Sequence, residues 1–201
     1  MLLWVDFDET KIDTVQGMLR FYDNKILGVH ITKEDITNYH MEQIPFLKEQ
    51  WLTAQHAREL FDTFVFEGPL EYITAIQWCR EALIKLKNEW IEIVTITARH
   101  KWLQNKTYDT IERLFPGLVD DVIFANHYTK DHKWKWIICR ENNIELMVDD
   151  NMSYAEELAA KWVWVHLLDQ PRNRMYDKKS YEVYGIRHHK DWDSIVKNIL
   201  G

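Results

Sequence analysis

Five short apolar runs, each followed by polar residues, organise the hydrophobic pattern of this chain. Runs of this kind are apolar on both faces, which is typical of strands buried inside a protein. Helical patterns lie between the later runs, and strands that alternate with helices form a parallel sheet covered on both sides. The predicted strands are Leu2–Phe7, Ile91–Thr97, Val122–Ala125, Ile144–Val148 and Val163–Leu168.

The later part of the chain predicts four core helices. Their apolar spacing covers about His100–Leu114, Lys133–Glu141, Ser153–Lys161 and Lys190–Leu200. Between the last predicted strand and the last helix, His188–His189 indicates an exposed turn. The predicted fold class is therefore α/β, a three-layer Rossmann-like parallel sheet with helices on both faces.

The gap between the first two predicted strands is much longer than the others. A connection of this length is too long for a single crossover. We predict a core of residues 1–12 and 83–201, with a helical lobe, residues 13–82, inserted after strand one. The helical patterns in the gap are Thr14–Tyr22, Lys33–Tyr39, Phe46–Thr63 and Tyr72–Lys87.

Composition and charge narrow the range of partners. The chain has 201 residues, of which 46% are hydrophobic and 13% aromatic, enough for a packed core. Its formal net charge is −7. Proteins bind long nucleic acids through basic surfaces, so this negative net charge disfavours long nucleic acids as partners. A small anionic substrate stays compatible with the charge if cations are focused in one cleft.

Neither a membrane span nor a secretory signal is expected. No apolar run approaches the ~20 residues needed to cross a bilayer, and Asp6 breaks the first apolar run. These features predict a cytoplasmic protein without membrane contacts. Cys79 and Cys139 show no zinc-ligand spacing, which favours buried free thiols. Four of the ten tryptophans lie in or beside core elements, which favours packing; they are Trp134, Trp136, Trp162 and Trp164.

Polar residues follow three of the predicted strands. In an open parallel sheet, ligands bind outside the carboxyl ends of the strands. We therefore expect these polar residues to meet at one edge of the sheet. They are Asp6, Asp8 and Thr10 at the carboxyl end of the first strand, Thr97 and Ala98 at that of the second, and Asp149 and Asp150 at that of the fourth.

The carboxylates of this set would repel one another if they were left unpaired. At ~4 Å, each like pair costs on the order of 4 kcal/mol near a protein surface. A divalent cation removes this penalty, and a site of carboxylate, carbonyl and water oxygens suits Mg²⁺. Phosphoryl transfer needs positioning and neutralised charge, so the set predicts a phosphate-handling site. The simpler alternative is a strand that ends in a turn. Asp120 and Asp121 precede a strand, and we expect them at the opposite edge.

Three stretches carry a resemblance to the haloacid dehalogenase superfamily of phosphohydrolases. "WVDFDET" resembles its first motif, "IVTITAR" its second, and "KWIICRENNIELMVDDN" its third and fourth. The resemblance implies that Asp6 is the nucleophile and Asp8 the general acid/base. It also implies that Thr97 and Ala98 contact the phosphate. Lobe 13–82 lies where that superfamily places its first type of cap.

The resemblance also implies a Mg²⁺ site and a lysine that binds phosphate. Asp6, the backbone carbonyl of Asp8, and Asp149 or Asp150 would hold the metal. Lys135 fits the lysine best by its spacing, and Lys133 is the alternative. Glu9 departs from the superfamily, where glycine is common; its carboxylate could alter metal affinity or point to solvent.

Three finer cues are similar to the 5′(3′)-deoxyribonucleotidase family: "ITKEDITNY", "TARH" and "LLDQPRNR". They imply a small phosphorylated substrate, namely a nucleoside monophosphate. Two alternatives keep the chemistry and change the substrate, to a polynucleotide 3′-phosphate or a small metabolite. A third alternative is an inactive binding module on the same fold.

Overall fold

A six-stranded parallel sheet lies at the centre of the computed structural model, which describes residues 1–127, 129–176 and 185–201. The strand order is β10-β9-β8-β1-β6-β7, and two short antiparallel pairs, β2-β5 and β3-β4, lie in the insert. The strands are β1 (Leu2–Val5), β2 (Ile12–Asp13), β3 (Lys25–Ile26), β4 (Val29–His30), β5 (Thr74–Ala75), β6 (Glu92–Thr97), β7 (Asp121–Phe124), β8 (Leu146–Asp149), β9 (Trp164–Leu168) and β10 (Ile186–His189).

Helices cover both faces of the sheet, which confirms the predicted α/β, three-layer fold class. The α-helices of the described residues are α1 (Thr14–Phe21), α2 (Pro45–Glu49), α3 (Ala54–Glu67), α4 (Cys79–Asn88), α5 (Gln104–Leu114), α6 (Lys135–Glu141), α7 (Met152–Ala159) and α8 (Trp192–Leu200). Short 3-10 turns occur at Lys33–Asp35, Met41–Gln43, Leu70–Tyr72, Lys101–Leu103 and Pro171–Asn173.

The five predicted strands are present, and the sixth strand, β10, was missed. The prediction of an exposed turn at His188–His189 is wrong, because both residues belong to β10 and His189 is buried. His189 Nε2 lies 2.8 Å from Nδ1 of His166 in the neighbouring strand. The segment "IRHH" has three polar residues and lacks the continuous apolar run of the other strands. Its pairing with β9 identifies it as a strand.

The helices of the insert between β1 and β6 are shorter and more often interrupted than its apolar pattern predicted. The predicted helix Phe46–Thr63 is interrupted at Gln50–Thr53, where the Thr53 side chain accepts a hydrogen bond from His56 N and starts α3. The predicted helix Tyr72–Lys87 begins only at Cys79, because β5 precedes it. β5 pairs with β2, so the two ends of the insert are tied together.

The two cysteines agree with expectation. Cys79 and Cys139 are buried and free. Within the described residues, no helix combines the length and the apolar character that a bilayer crossing requires.

The tryptophan prediction is largely wrong. Of the four predicted to pack, Trp136 packs against the core, whereas Trp134, Trp162 and Trp164 are exposed. Trp162 also adopts a left-handed backbone conformation, with a φ of 66°.

Trp51 and Trp90 show the same left-handed conformation, with φ values of 62° and 58°. Each of these three tryptophans follows a helix, and the next residue donates its N–H to a carbonyl five residues back, as Ile91 does to Leu86. This is the helix-ending geometry in which glycine is the usual residue. α6 ends the same way at Asn143.

Candidate active site

Three buried carboxylates meet at the carboxyl edge of the sheet. Asp6 directly follows β1, and Asp149 and Asp150 lie at the end of the neighbouring strand β8. One oxygen of each lies within 4.8 Å of the others. The pairing of β1 with β8 brings the residues together, since Asp6 N donates to Val148 O at 2.8 Å.

Lys135 joins two of these carboxylates. Its Nζ lies 2.6 Å from Asp6 Oδ1 and 2.7 Å from Asp149 Oδ2, and its side chain is buried. Lys135 is the first residue of α6, which directs it from the edge of the sheet into the cluster. Lys133 instead pairs with Glu141 at the surface. The structure therefore brings Lys135 to the cluster and leaves the alternative, Lys133, outside it.

The cluster carries more negative than positive charge. Burial raises the pKa of Asp6 to about 8; Lys135 opposes this rise, while Asp149 and Asp150 add to it. Burial also raises the pKa of Asp149, against the opposing effect of Lys135. Carboxylates whose charged form is this disfavoured gain stability from a further cation. Three oxygens at this separation, all from carboxylates, are donors that fit Mg²⁺.

Asp8 lies outside this cluster and faces Arg99. The guanidinium donates from Nη2 to Oδ1 at 2.8 Å and from Nε to Oδ2 at 2.9 Å, and Thr14 Oγ1 donates to Oδ1 at 2.5 Å. Burial pushes the pKa of Asp8 upward, but Arg99 and the hydrogen bond from Thr14 outweigh it and leave the pKa below its ordinary value. Asp8 is therefore ionised at neutral pH in this arrangement.

Arg99 was missed as a functional residue, although it stands in the quoted "TAR" segment. The segment follows β6, the other neighbour of β1 in the sheet. Thr97 is buried at the end of that strand and accepts a hydrogen bond from Arg99 N at 3.2 Å. Ala98 follows it and is half-buried. Thr97 and Ala98 thus lie at the same edge as the carboxylates.

Glu9 points inward and is paired. Its backbone has a φ of 60°, a conformation in which glycine is favoured, and its side chain is buried. Oε2 lies 2.9 Å from Lys33 Nζ of the insert and 3.7 Å from Arg172, and Oε1 accepts from Val15 N at 2.6 Å. Of the two alternatives for Glu9, the solvent-facing one is wrong. The carboxylate contacts cations and lies outside the cluster of three.

Asp150 is contacted from several directions. Arg172 donates to its Oδ2 at 2.8 Å, and Thr10 Oγ1 donates to its Oδ1 at 3.1 Å. Tyr39, from the insert, donates to its backbone oxygen at 2.5 Å. Arg172 and Tyr39 were not singled out from sequence, although both fall in quoted segments, "LLDQPRNR" and "ITKEDITNY".

The opposite edge of the sheet carries the other acidic pair, as predicted. Asp120 accepts hydrogen bonds from Lys87 Nζ, near the end of α4, and from Ile93 N, near the start of β6. Asp121 begins β7. Neither residue lies near the cluster of three.

Comparison with solved structures identifies the fold. A haloacid dehalogenase-like hydrolase family protein from Streptococcus pneumoniae aligns with a TM-score of 0.65 and 12% identity, over 98% of this chain and 97% of that one. A HAD family hydrolase from Deinococcus radiodurans, with bound phosphate and sodium, aligns with a TM-score of 0.60 and 13% identity, over 96% and 92%.

Protein Tyrosine Kinase A of Mycobacterium tuberculosis aligns with a TM-score of 0.68 and 14% identity, over 98% of this chain and 96% of that one. No protein-family model and no curated protein sequence matches the chain. The chain therefore has the haloacid dehalogenase-like fold. Since this fold occurs in hydrolases and in a protein described as a kinase, the chemistry has to be argued from the site.

Proposed function

We propose that this protein is a Mg²⁺-dependent phosphomonoesterase that works through an aspartyl-phosphate on Asp6. The observation that carries the proposal is the buried cluster of Asp6, Asp149 and Asp150, in which Lys135 contacts two of the three carboxylates. Hydrolase neighbours with the same fold, one of them with bound phosphate, support it.

The three carboxylates fit a divalent cation by their donor type and spacing. Asp6 and Asp149 or Asp150, with the backbone carbonyl of Asp8, would hold it. When bound, Mg²⁺ neutralises charge on the phosphate oxygens and favours the ionised form of the nearby carboxylates. Lys135 Nζ, 2.6 Å from Asp6 Oδ1, is placed to contact a phosphate oxygen of a substrate at Asp6. Thr97 and Ala98 would contact the remaining phosphate oxygens.

The reaction has two steps on this chain's own residues. Asp8 takes up a proton when the substrate binds. First, a carboxylate oxygen of Asp6 attacks phosphorus, the bond to the leaving oxygen breaks, and Asp8 donates that proton to the leaving oxygen. Second, Asp8 takes a proton from water, whose oxygen attacks phosphorus and releases phosphate from Asp6. The Arg99 contact lowers the pKa of Asp8 and so favours its basic form, which the second step requires.

The proposed substrate is a deoxyribonucleoside monophosphate. The three segments similar to the 5′(3′)-deoxyribonucleotidases support it, and residues 13–82 would act as the cap that excludes water and selects the leaving group. Two of these segments supply side chains that contact Asp150, namely Tyr39 and Arg172. The net charge of −7 favours a small substrate over a long polyanion.

Phosphate release from a matched panel tests this proposal. The panel contains deoxyribonucleoside monophosphates, ribonucleoside monophosphates, sugar phosphates and a 3′-phosphorylated oligonucleotide, all at one Mg²⁺ concentration. We expect the deoxyribonucleotides to react fastest, with a preference over ribonucleotides on the order of tenfold to a hundredfold. If the oligonucleotide reacts fastest, the protein is an end-processing phosphatase. Absence of release from every substrate, with Mg²⁺ bound, would favour a binding module.

A further inference from the structure

The insert reaches the candidate metal cluster through Tyr39. The hydroxyl of Tyr39 donates to the backbone oxygen of Asp150 at 2.5 Å and lies 3.4 Å from Asp150 Oδ2. Tyr39 lies in the insert between the turns Lys33–Asp35 and Met41–Gln43.

The loop that follows β8, at Asp150, is also held from the core side, by the turn Pro171–Asn173. Arg172 stacks on Tyr39, with its guanidinium carbon 4.7 Å from the ring centroid, while it donates to Asp150 Oδ2. Asn173 Nδ2 donates to the backbone oxygen of Asp150 at 2.9 Å, so Tyr39 and Asn173 share one acceptor. The loop is thus held between the insert and the turn Pro171–Asn173.

The position of this loop determines the geometry of the cluster. Asp150 provides one of the three carboxylates, so a shift of its backbone moves that carboxylate relative to Asp6 and Asp149. We infer that Tyr39 is a positioning residue that couples the insert to the affinity of the cluster for Mg²⁺. The inference rests on the metal site of the proposed function.

The coupling must act in both directions. If the insert contact through Tyr39 favours the geometry that binds Mg²⁺, bound Mg²⁺ must favour that contact by the same factor. The insert would then be held in place when the metal is bound, and held less firmly when it is absent. A purely structural role for Tyr39 predicts neither effect.

Calorimetric titration with Mg²⁺ alone tests the first direction. Tyr39→Phe removes the hydroxyl and keeps the ring that packs against Arg172. We expect Mg²⁺ affinity to fall about tenfold, the size typical of a lost contact behind a metal ligand, with the melting temperature of the metal-free protein nearly unchanged. Tyr22→Phe is the matched control, because its hydroxyl donates to Leu60 O inside the insert at 2.9 Å. The control should bind Mg²⁺ like the wild type.

Hydrogen exchange tests the second direction. We expect Mg²⁺ to slow amide exchange in residues 32–40 of the wild type, with α8 as the internal reference, and we expect Tyr39→Phe to lose this protection. Equal affinity and equal protection in wild type and Tyr39→Phe would overturn the coupling and leave the proposed function standing. A wild type that does not bind Mg²⁺ would overturn the metal site and this inference with it.

Discussion

Two networks of charged side chains lie side by side at the carboxyl edge of the sheet. The inner network consists of Asp6, Asp149 and Asp150 with Lys135, and all four side chains are buried. The outer network consists of Glu9 and Asp13 with Lys33. Arg172 lies between the two networks, 2.8 Å from Asp150 and 3.7 Å from Glu9. In each network one lysine serves two carboxylates. The inner network holds a third carboxylate, Asp150, and one oxygen of each of its three carboxylates lies within 4.8 Å of the others.

The difference between the two networks indicates where a cation would bind. Across both networks, five carboxylates face three cations, a difference of two negative charges when all groups are ionised. A single divalent cation neutralises that difference. The three carboxylates that gather within 4.8 Å are all in the inner network, so a divalent cation finds most oxygen ligands there. The outer network joins the insert to the core by contacts of its own residues.

The largest expected effect is at the nucleophile of the inner network. Asp6→Asn should abolish phosphate release, because an amide cannot form the acyl-phosphate, while the fold stays intact. Initial rates with a saturating phosphomonoester measure it. Asp120→Asn is the control, since Asp120 is an acidic residue at the opposite edge. Normal turnover by Asp6→Asn would contradict the proposed mechanism.

Lysine substitutions separate the buried site from the surface beside it. Lys135→Ala leaves Asp6 and Asp149 without their cation and should lower the rate by about 10² to 10³, the usual scale for losing a group that stabilises transition-state charge. Lys133→Ala removes only a surface pair with Glu141 and should change the rate little. A large loss in Lys133→Ala with none in Lys135→Ala would reverse this assignment.

The outer network should respond in stability more than in activity. Glu9→Gln removes the charge that faces Lys33 and Arg172, so we expect a loss of about 1 to 3 kcal/mol in the free energy of unfolding. Mg²⁺ affinity should change less than in Asp149→Asn. Urea denaturation and calorimetric titration measure the two quantities. If Glu9→Gln abolished Mg²⁺ binding, the division into two networks would be wrong.

The last expected effect concerns acid stability, at the side of the sheet where the histidines of β9 and β10 are buried together. Burial, with charge repulsion from His189 and Arg187, lowers the pKa of His166 to about 3. Burial, with repulsion from His188 and Arg187, lowers the pKa of His189 to about 4, against the smaller opposing effects of Ser194 and Asp191. Both are neutral in the folded protein, whereas the unfolded chain gains protons below its ordinary histidine pKa of ~6.5. Their stabilising contribution is complete above that pH and falls as the pH drops toward 4.

Unfolding free energies at pH 7 and pH 5 test this expectation. Each histidine accounts for a loss of at most about 2 kcal/mol over that interval. His189→Gln removes one titrating group, so the drop between the two pH values should be smaller in the variant than in the wild type. An equal drop in both would show that other groups control the acid sensitivity.

The sequence predicted the elements whose pattern is local. Five of the six sheet strands were found because their apolar runs are continuous. The spacing within the third motif favoured Lys135 and left Lys133 as the alternative, and Lys135 is the one that contacts Asp6 and Asp149. β10 was missed because its burial depends on His166 of the neighbouring strand. The insert helices were predicted too long, because local apolar spacing continues through the break before Thr53.

The partners of the acidic residues were harder to predict than the residues themselves. Arg99 meets Asp8 from 91 positions away, and Tyr39 meets Asp150 from 111 positions away. The periodicity of apolar residues carries no information about contacts between residues this far apart in sequence. The Arg99 contact follows from the pairing of β1 with β6, and the Tyr39 contact follows from how the insert folds over the core.

The tryptophans that end helices have a consequence for the gene. Trp51, Trp90 and Trp162 are exposed and occupy the left-handed position that glycine usually takes, whereas Trp192 is fully buried. Where a genetic code reads the codon UGA as an amino acid, some codes specify tryptophan and others glycine. If UGA encodes the three exposed positions, the backbone geometry favours the glycine reading. The intact mass of the protein made in its native host would distinguish the two readings, because each glycine lowers it.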